Sequence, residues 1–216
     1  VGVGPLRVTL AASEPVSGVP STTIQFNGGA SVLLTLANVA VNTFAGTINV
    51  TPLLPSGPAT LNVSALDTAG NPFNGPPSGP TLSIDVRAPS GAITTAPVSP
   101  VQATNDTAVA VNLRLTEAPK LGTVPTLNFG PPAGTNVSVT LTGSDTNWNG
   151  TLTVTPAMGS GLGYFTLSVT DALDNVGHSL TAGSTLEIYN TDLPSPPGQP
   201  VGFQGVSLSG GRVQLN

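Results

Sequence analysis

An internal repeat with a period of about 104 residues is the feature that most restricts how this chain can fold. Gly46-Thr-Ile-Asn-Val-Thr-Pro52 recurs as Gly150-Thr-Leu-Thr-Val-Thr-Pro156, and Thr81-Leu-Ser-Ile84 recurs as Thr185-Leu-Glu-Ile188, both 104 positions later. Three further pairs of blocks keep the same order at offsets of 103 to 107: Ser13-Glu14 with Thr116-Glu117, Ile24-Gln-Phe26 with Leu127-Asn-Phe129, and Ala65–Asn71 with Ala172–His178. A period of this length is far longer than a solenoid repeat and indicates one globular domain per copy.

Alternating apolar residues predict short β strands in both copies. In the second copy Val109, Val111, Leu113 and Leu115 alternate with polar or small residues, which is the pattern of a half-buried strand. Runs such as Val32-Leu-Leu-Thr-Leu36 and Val137-Ser-Val-Thr-Leu141 are each predicted to form one strand. Gly and Pro, at 26 and 22 residues, mark turns between these runs. We therefore predict an all-β chain of tandem sandwiches with about seven strands each.

The repeat also predicts the domain organisation. Residues 1–88 are predicted to form a first sandwich that lacks its opening strand, because only five residues precede Leu6, whereas the segment Ala92–Thr107 precedes the corresponding strand at Val109. Residues 89–194 form a complete second sandwich. Residues 195–216 are predicted to be a proline-rich linker followed by the start of a further, fibronectin III-like β module. The chain is accordingly expected to be a segment of a longer protein.

Charge and composition argue against several classes of function. The net charge is −5, and the five basic residues are scattered, whereas nucleic-acid and anionic-membrane binding need clustered cations. No run of about 18 apolar residues is present, so we expect no membrane insertion. Cysteine is absent, which excludes a disulfide scaffold.

Few residues could perform catalysis. His178 is the only histidine and is predicted to lie in a surface turn, and no Gly-x-Ser-x-Gly nucleophile motif follows a strand. Spacing alone leaves a glycosidase-like pair of carboxylates open. The acidic residues recur with the repeat, however, and two copies of one active site are not expected. We predict that the chain is not an enzyme.

Calcium is the metal that the acidic residues favour, because hard cations take carboxylate, amide and backbone oxygens. The candidate ligands recur between the copies and at the domain exit: Glu14, Asp67, Asp85, Glu117, Asp171 and Asp174. Calcium at a domain end would stiffen the joint between domains. The alternative is that Asp67 and Asp174 cap tight turns by accepting backbone hydrogen bonds. No other cofactor is expected.

Three motifs give the chain a resemblance to the tandem immunoglobulin-like repeats of bacterial surface proteins. They are the Ser13-Glu-Pro-Val16 turn, the Asp67-Thr-Ala-Gly-Asn71 turn and the Ile84-Asp-Val-Arg-Ala-Pro89 exit. The resemblance covers about residues 1–194 and implies immunoglobulin-like sandwiches of the kind found in adhesin stalks and surface-layer lattices. The second copy departs from the motifs at Thr116–Pro119, Val176–His178 and Tyr189.

We therefore expect a structural segment of a bacterial cell-surface protein, of surface-layer or adhesin-stalk type, that provides spacing and lateral self-assembly. Its location would be the cell envelope, the cell surface or the extracellular medium. Its partners would be neighbouring copies or adjoining domains, because strand edges with few charges can pair with one another. The alternative is a pair of carbohydrate-binding accessory modules of a secreted enzyme. Three aromatic residues could then stack on sugars: Trp148, Tyr164 and Tyr189. Trp148 also aligns with Phe44, which favours a core role for both.

Overall fold

The computed structural model describes residues 1–103 and 106–190, together with the backbone of two strands near the C-terminus. In chain order the strands are β1 (Gly4–Ala11), β2 (Ser21–Gln25), β3 (Ser31–Leu34), β4 (Ala37–Ala40), β5 (Thr43–Val50), β6 (Gly57–Leu66), β7 (Pro72–Gly75), β8 (Leu82–Ile84), β9 (Ser90–Ala96), β10 (Val101–Gln102), β11 (Thr107–Leu115), β12 (Thr126–Gly130), β13 (Val137–Val139), β14 (Leu141–Ser144), β15 (Asn147–Val154), β16 (Gly161–Thr170), β17 (Val176–Gly177), β18 (Ser179–Ala182), β19 (Thr185–Tyr189), β20 (Gly205–Leu208) and β21 (Arg212–Leu215). A short 3₁₀ helix spans Pro156–Met158. The described part of the chain has no helix of the length and hydropathy that crossing a membrane requires.

Strands β1–β8 form the first unit, which consists of two antiparallel sheets. One sheet has the order β1-β5-β4, and the other has the order β3-β2-β6-β7, with β8 also paired to β6. Apolar side chains of both sheets meet between them, and Ile24, Leu34 and Val50 are almost completely buried. The first unit therefore has a hydrophobic core of its own.

Strands β9–β19 form the second unit, which repeats this arrangement and adds strands to it. One sheet has the order β14-β15-β11-β9-β18 and the other β10-β19-β16-β12-β13, with β17 paired to β16. Strands β9 and β10 are consecutive in the chain, yet they belong to opposite sheets. The core is larger than that of the first unit and contains Phe129 and Phe165, whose ring centroids are 4.9 Å apart. The prediction of an all-β sandwich chain is confirmed.

Two segments that the alternation pattern predicts as single strands each form two strands, which belong to different sheets. In the first unit, β3 and β4 lie in different sheets, and in the second unit β13 and β14 do so as well. The apolar alternation continues across the change of sheet, because Leu34, Leu36, Val139 and Leu141 all point into a core. Each division adds one strand to its unit, and the described units contain eight and eleven strands, more than the predicted seven or so.

The repeated glycines Gly46 and Gly150, in β5 and β15, face the points at which the chain changes sheet. An ideal Cβ on Gly46 would be 2.3 Å from the carbonyl oxygen of Thr35, and one on Gly150 would be 2.7 Å from that of Thr140. Both distances are too short for any side chain. The glycine at the start of the repeated Gly-Thr-x-x-Val-Thr-Pro block is thus required by the close approach of a neighbouring backbone.

Aromatic residues occupy equivalent core positions in the two units. Phe44 pairs with Leu10 between β5 and β1, and Trp148 pairs with Leu113 between β15 and β11. Phe44 is 3% exposed and Trp148 is 6% exposed. The indole Nε1 of Trp148 donates a hydrogen bond to the Asp145 carbonyl oxygen over 3.0 Å. The predicted core role of both residues is confirmed.

The C-terminal strands β20 and β21 pair antiparallel as a hairpin. The rest of the predicted linker and β module, within residues 195–216, lies outside the described residues. The last strand of the first unit ends at Ile84, and the first strand of the second unit begins at Ser90. This short connection brings the exit of the first unit close to the end of the second unit at which β11 and β16 terminate.

Candidate metal centre

Three carboxylates from the two units converge at the junction. Asp85 directly follows β8, Asp171 directly follows β16, and Glu117 lies two residues beyond the end of β11. A carboxylate oxygen from each of the three lies within 4.8 Å of one from each of the others. Two unit negative charges at that separation repel each other by about 3–4 kcal/mol at an effective dielectric constant of about 20. The arrangement therefore favours a bound cation.

Asp171 is held rigidly by the turn that follows β16. Its Oδ1 accepts hydrogen bonds from the backbone N–H groups of Leu173 (2.8 Å) and Asn175 (2.9 Å), and its Oδ2 accepts one from Asn175 Nδ2 (2.8 Å). Asp171 is 3% exposed and Asn175 is 6% exposed. The carboxylate is thus buried and oriented by three hydrogen bonds.

Asn175 also links the two units directly. Its Nδ2 donates a second hydrogen bond to the backbone carbonyl of Asp85 over 3.1 Å. The Asp85 side chain is oriented by its own unit, because its Oδ1 accepts hydrogen bonds from Arg87 N (3.1 Å) and Ser56 Oγ (3.4 Å). Two side chains that the sequence did not single out, Asn175 and Ser56, therefore position the carboxylates.

Glu117 is the residue whose ionisation is most affected by this environment. Partial burial raises the pKa of Glu117, and the nearby carboxylates of Asp85 and Asp171 raise it further. The direction of the shift is that expected for like charges held together without a compensating cation. A positive ion among the three carboxylates would reverse this effect.

The donor set fits a hard divalent cation. Three carboxylates present up to six oxygens, and Ca²⁺ takes six to eight oxygen ligands, with water completing the shell. The hydrogen bonds to Asp171 and Asp85 leave lone pairs on their carboxylate oxygens. A softer metal such as zinc favours Cys and His ligands, and none is part of this cluster.

Glu14 and Asp67 are placed in the first unit at positions that correspond to Glu117 and Asp171. Both line a cavity of about 410 Å³. In the described residues they form no cluster with a third carboxylate. Asp67 caps its turn as predicted, with Oδ1 accepting from Ala69 N and Asn71 N, both at 2.8 Å. Hydrogen bonds from the side chain and backbone of Asn71 lower the pKa of Asp67.

Asp174 does not belong to the cluster and does not cap the turn of the second unit. It is exposed and forms a salt bridge of 2.5 Å with Lys120, a kind of surface contact that contributes little to stability. The equivalent of Asp67 is Asp171, at the constant offset of 104, and not Asp174 at an offset of 107. The alignment of Ala65–Asn71 with Ala172–His178 is therefore shifted by three residues from the structural equivalence. Holding the offset constant would have identified both Asp171 and Asn175.

The remaining predicted site residues are dispersed. His178 is exposed between β17 and β18, with its Nδ1 3.0 Å from the Leu167 carbonyl oxygen, and its counterpart in the first unit is not Asn71. Tyr164 is 56% exposed, Tyr189 is half-buried and Trp148 is buried. Of the three aromatic residues considered for sugar stacking, only Tyr164 presents a large exposed face.

No protein-family model matches the chain, and no curated protein matches it. Many solved structures resemble it, among them the following three. One is a tetra-tandem repeat from the extending region of a large adhesion protein, with 17% identity and a TM-score of 0.33, covering 80% of this chain and 45% of that one. Another is a DUF4785 family protein from Legionella pneumophila, with 12% identity and a TM-score of 0.35, covering 82% and 51%.

The third structure is from a 1.5-MDa bacterial ice-binding adhesin, with 16% identity and a TM-score of 0.38, covering 86% of this chain and 58% of that one. The chain thus spans about half the length of the structures it resembles. Identities and TM-scores this low do not indicate a shared function.

Proposed function

We propose that this chain is a structural segment of a bacterial cell-surface protein, of the surface-layer or adhesin-stalk type, exposed outside the cell. The observation that supports this proposal most directly is the junction itself, where Asp85 of one unit lies against Glu117 and Asp171 of the other. A site shared by two successive units favours a role in fixing their relative orientation. Such a role suits a protein that spans distance rather than one that turns over a substrate.

Calcium is the proposed occupant of this junction. Bound calcium would replace three mutually repelling carboxylates with a centre that connects both units, and Asn175 already joins them by one hydrogen bond. Removing the ion would restore the repulsion and loosen the joint. The proposed function of calcium is therefore mechanical.

Catalysis is not part of the proposal. Within residues 1–103 and 106–190, the only histidine lies outside the carboxylate cluster. Self-association with neighbouring copies is proposed as the second element of the function. Strand edges of these sandwiches carry few charges that would oppose edge-to-edge pairing.

Calcium titration of the full chain tests the proposal. We expect saturable binding by calorimetry, and a narrower distribution of distances between dyes placed on the two units when calcium is added. Ligand that binds only the folded state at one hundred times its Kd adds about 2.7 kcal/mol to the free energy of unfolding. The absence of binding at millimolar calcium, or a hydrolytic activity in the purified chain, would refute the proposal. A glycan array should give no binding.

A further inference from the structure

The β1 strand of the first unit has a neighbour on one edge only. It pairs with β5, whereas its counterpart in the second unit, β11, pairs with β15 on one side and with β9 on the other. Among the described residues no strand occupies the second edge of β1. The backbone N–H and C=O groups on that edge are therefore available to another strand.

The open edge also leaves the first core less well covered. The inward-facing side chains of β1, those of Leu6, Val8 and Leu10, are only half-buried. Their counterparts in β11, the strand beside β9, are Val109, Val111 and Leu113, which are at most 1% exposed. A strand added beside β1 would thus bury apolar surface as well as pair backbone groups.

A cavity marks the place where such a strand would begin. The cavity of about 410 Å³ is lined by Leu10 and Val63, which correspond to Leu113 and Leu167 of the second unit. In the second unit these two leucines lie against the start of β9. An ideal Cβ on Gly91 would be 2.8 Å from Leu113 and 3.0 Å from Leu167. The cavity is therefore lined by the residues that correspond to those contacting β9 in the second unit.

The side-chain hydroxyl that binds the start of β9 is also present in the first unit. Ser90 N donates to Thr116 Oγ1 over 3.0 Å, and Thr116 N donates to the Ser90 carbonyl over 2.9 Å. Thr116 corresponds to Ser13, which keeps the hydroxyl and lines the cavity. Both hydrogen bonds can therefore be made to a strand that enters beside β1.

We propose that the free edge of β1 binds an extended polypeptide strand with the residue pattern of β9, running antiparallel to β1. The recognised features are a small residue at the Gly91 position, over Leu10 and Val63, and an apolar residue at the Ile93 position, opposite Leu10. Acidic residues at these inward positions would be rejected, because Glu14 and Asp67 line the cavity and no basic residue does. The inference rests on sheet pairing and burial and does not depend on the calcium site or on the proposed mechanical function.

A synthetic peptide with the sequence of residues 90–103 tests the proposal against the full chain. We expect saturable binding by fluorescence anisotropy and at least tenfold slower hydrogen exchange in β1, without a change in β11. The matched control peptide carries Gly91→Asp and Ile93→Asp and should not bind. In the protein, Ser13→Ala should weaken peptide binding several-fold without unfolding either unit.

A fusion makes the same strand intramolecular. Val1 occupies the place of Val101, since Val1 N donates to Ser83 O and Asp85 N donates to Val1 O, on either side of Ile84. Val101 is paired with Ile188, the counterpart of Ile84. Placing the sequence Ser90–Pro100 directly before Val1 should therefore protect β1 from exchange and abolish binding of the free peptide.

Two results would overturn the proposal. One is a peptide that does not bind up to millimolar concentration together with a fusion that leaves exchange in β1 unchanged. The other is reversible dimerisation through β1 that the peptide does not displace, which would assign this edge to a second copy of the chain.

Discussion

Asp67 and Asp171 make the same turn in the two units, 104 positions apart, but only Asp171 lies within 4.8 Å of two further carboxylates. Each accepts two backbone hydrogen bonds on Oδ1 and one from an asparagine side chain on Oδ2. This pair separates the role of a turn cap from that of a metal ligand, because the chain carries both forms of the same turn.

The first prediction uses this pair as variant and control. Asp171→Asn should abolish the increase in Tm that 2 mM calcium produces, and Asp67→Asn should leave that increase intact. Both variants should lower the stability of the calcium-free protein, since each weakens the hydrogen bonds of one turn. Scanning calorimetry in calcium and in excess EDTA gives the comparison. An equal calcium response in wild type and Asp171→Asn would exclude Asp171 as a ligand.

The second prediction concerns the pH dependence introduced by Glu117. Because its pKa is raised in the folded state, that state holds the proton more tightly than the unfolded state does. The free energy of unfolding should therefore decrease as pH rises from the ordinary glutamate pKa of about 4.3 through the raised value. The penalty is fully present above the raised pKa and is relieved below the ordinary glutamate pKa.

Glu117→Gln removes this penalty. In EDTA at pH 7 the variant should be more stable than wild type by about 0.5–1 kcal/mol, a typical effect of a partly exposed charge contact. In calcium the order should reverse, because one ligand is lost. Urea unfolding at pH 4, 5.5 and 7 measures the trend, and Glu14→Gln, at the corresponding position of the first unit, is the matched control. A Glu117→Gln variant less stable than wild type in EDTA at pH 7 would contradict the prediction.

The third prediction tests the close backbone approach at the change of sheet. Gly150→Ala should lower the free energy of unfolding by about 1–3 kcal/mol, because the added Cβ would lie 2.7 Å from the Thr140 carbonyl oxygen. Gly46→Ala should act similarly in the first unit. Gly79→Ala is the control, since its Cβ would meet no atom within 4 Å, and its effect should stay within about 0.5 kcal/mol.

The fourth prediction concerns the order in which the units unfold. The first unit should unfold at lower urea concentration, because Leu6, Val8 and Leu10 remain half-buried. Trp148, the only tryptophan, reports the second unit alone. Tryptophan fluorescence should therefore show a later transition than far-ultraviolet circular dichroism. Superimposable curves from the two probes would mean that the units unfold as one.

The sequence predicted the strands of the second unit well where a strand buries one face, as in β11, because alternation follows directly from that burial. It did not predict where β3 ends and β4 begins, since both strands bury their apolar residues in one core and the alternation continues across the change of sheet. Burial pattern alone does not record which sheet a strand belongs to.

The candidate metal centre was predicted only as a set of residue types. Three of the six proposed ligands, Glu14, Asp67 and Asp174, lie outside the cluster, and the other three, Asp85, Glu117 and Asp171, converge. The convergence depends on the short connection between Ile84 and Ser90, whose geometry no local pattern specifies. The amide of Asn175 spans the junction. The only sequence feature that identifies this residue is its constant offset from Asn71.

The parallel pairing of β10 with β19 has a consequence for how the second unit responds to tension. Val101 lies beside Ile188, so β10 and the last strand of the unit, β19, run side by side in the same direction. A pull that separates the two ends of the unit acts along these strands and loads their hydrogen bonds in shear, so that the bonds must break together rather than one at a time. Val1 bonds to both sides of Ile84 in the same manner, so the first unit would meet an extending force with the same kind of contact.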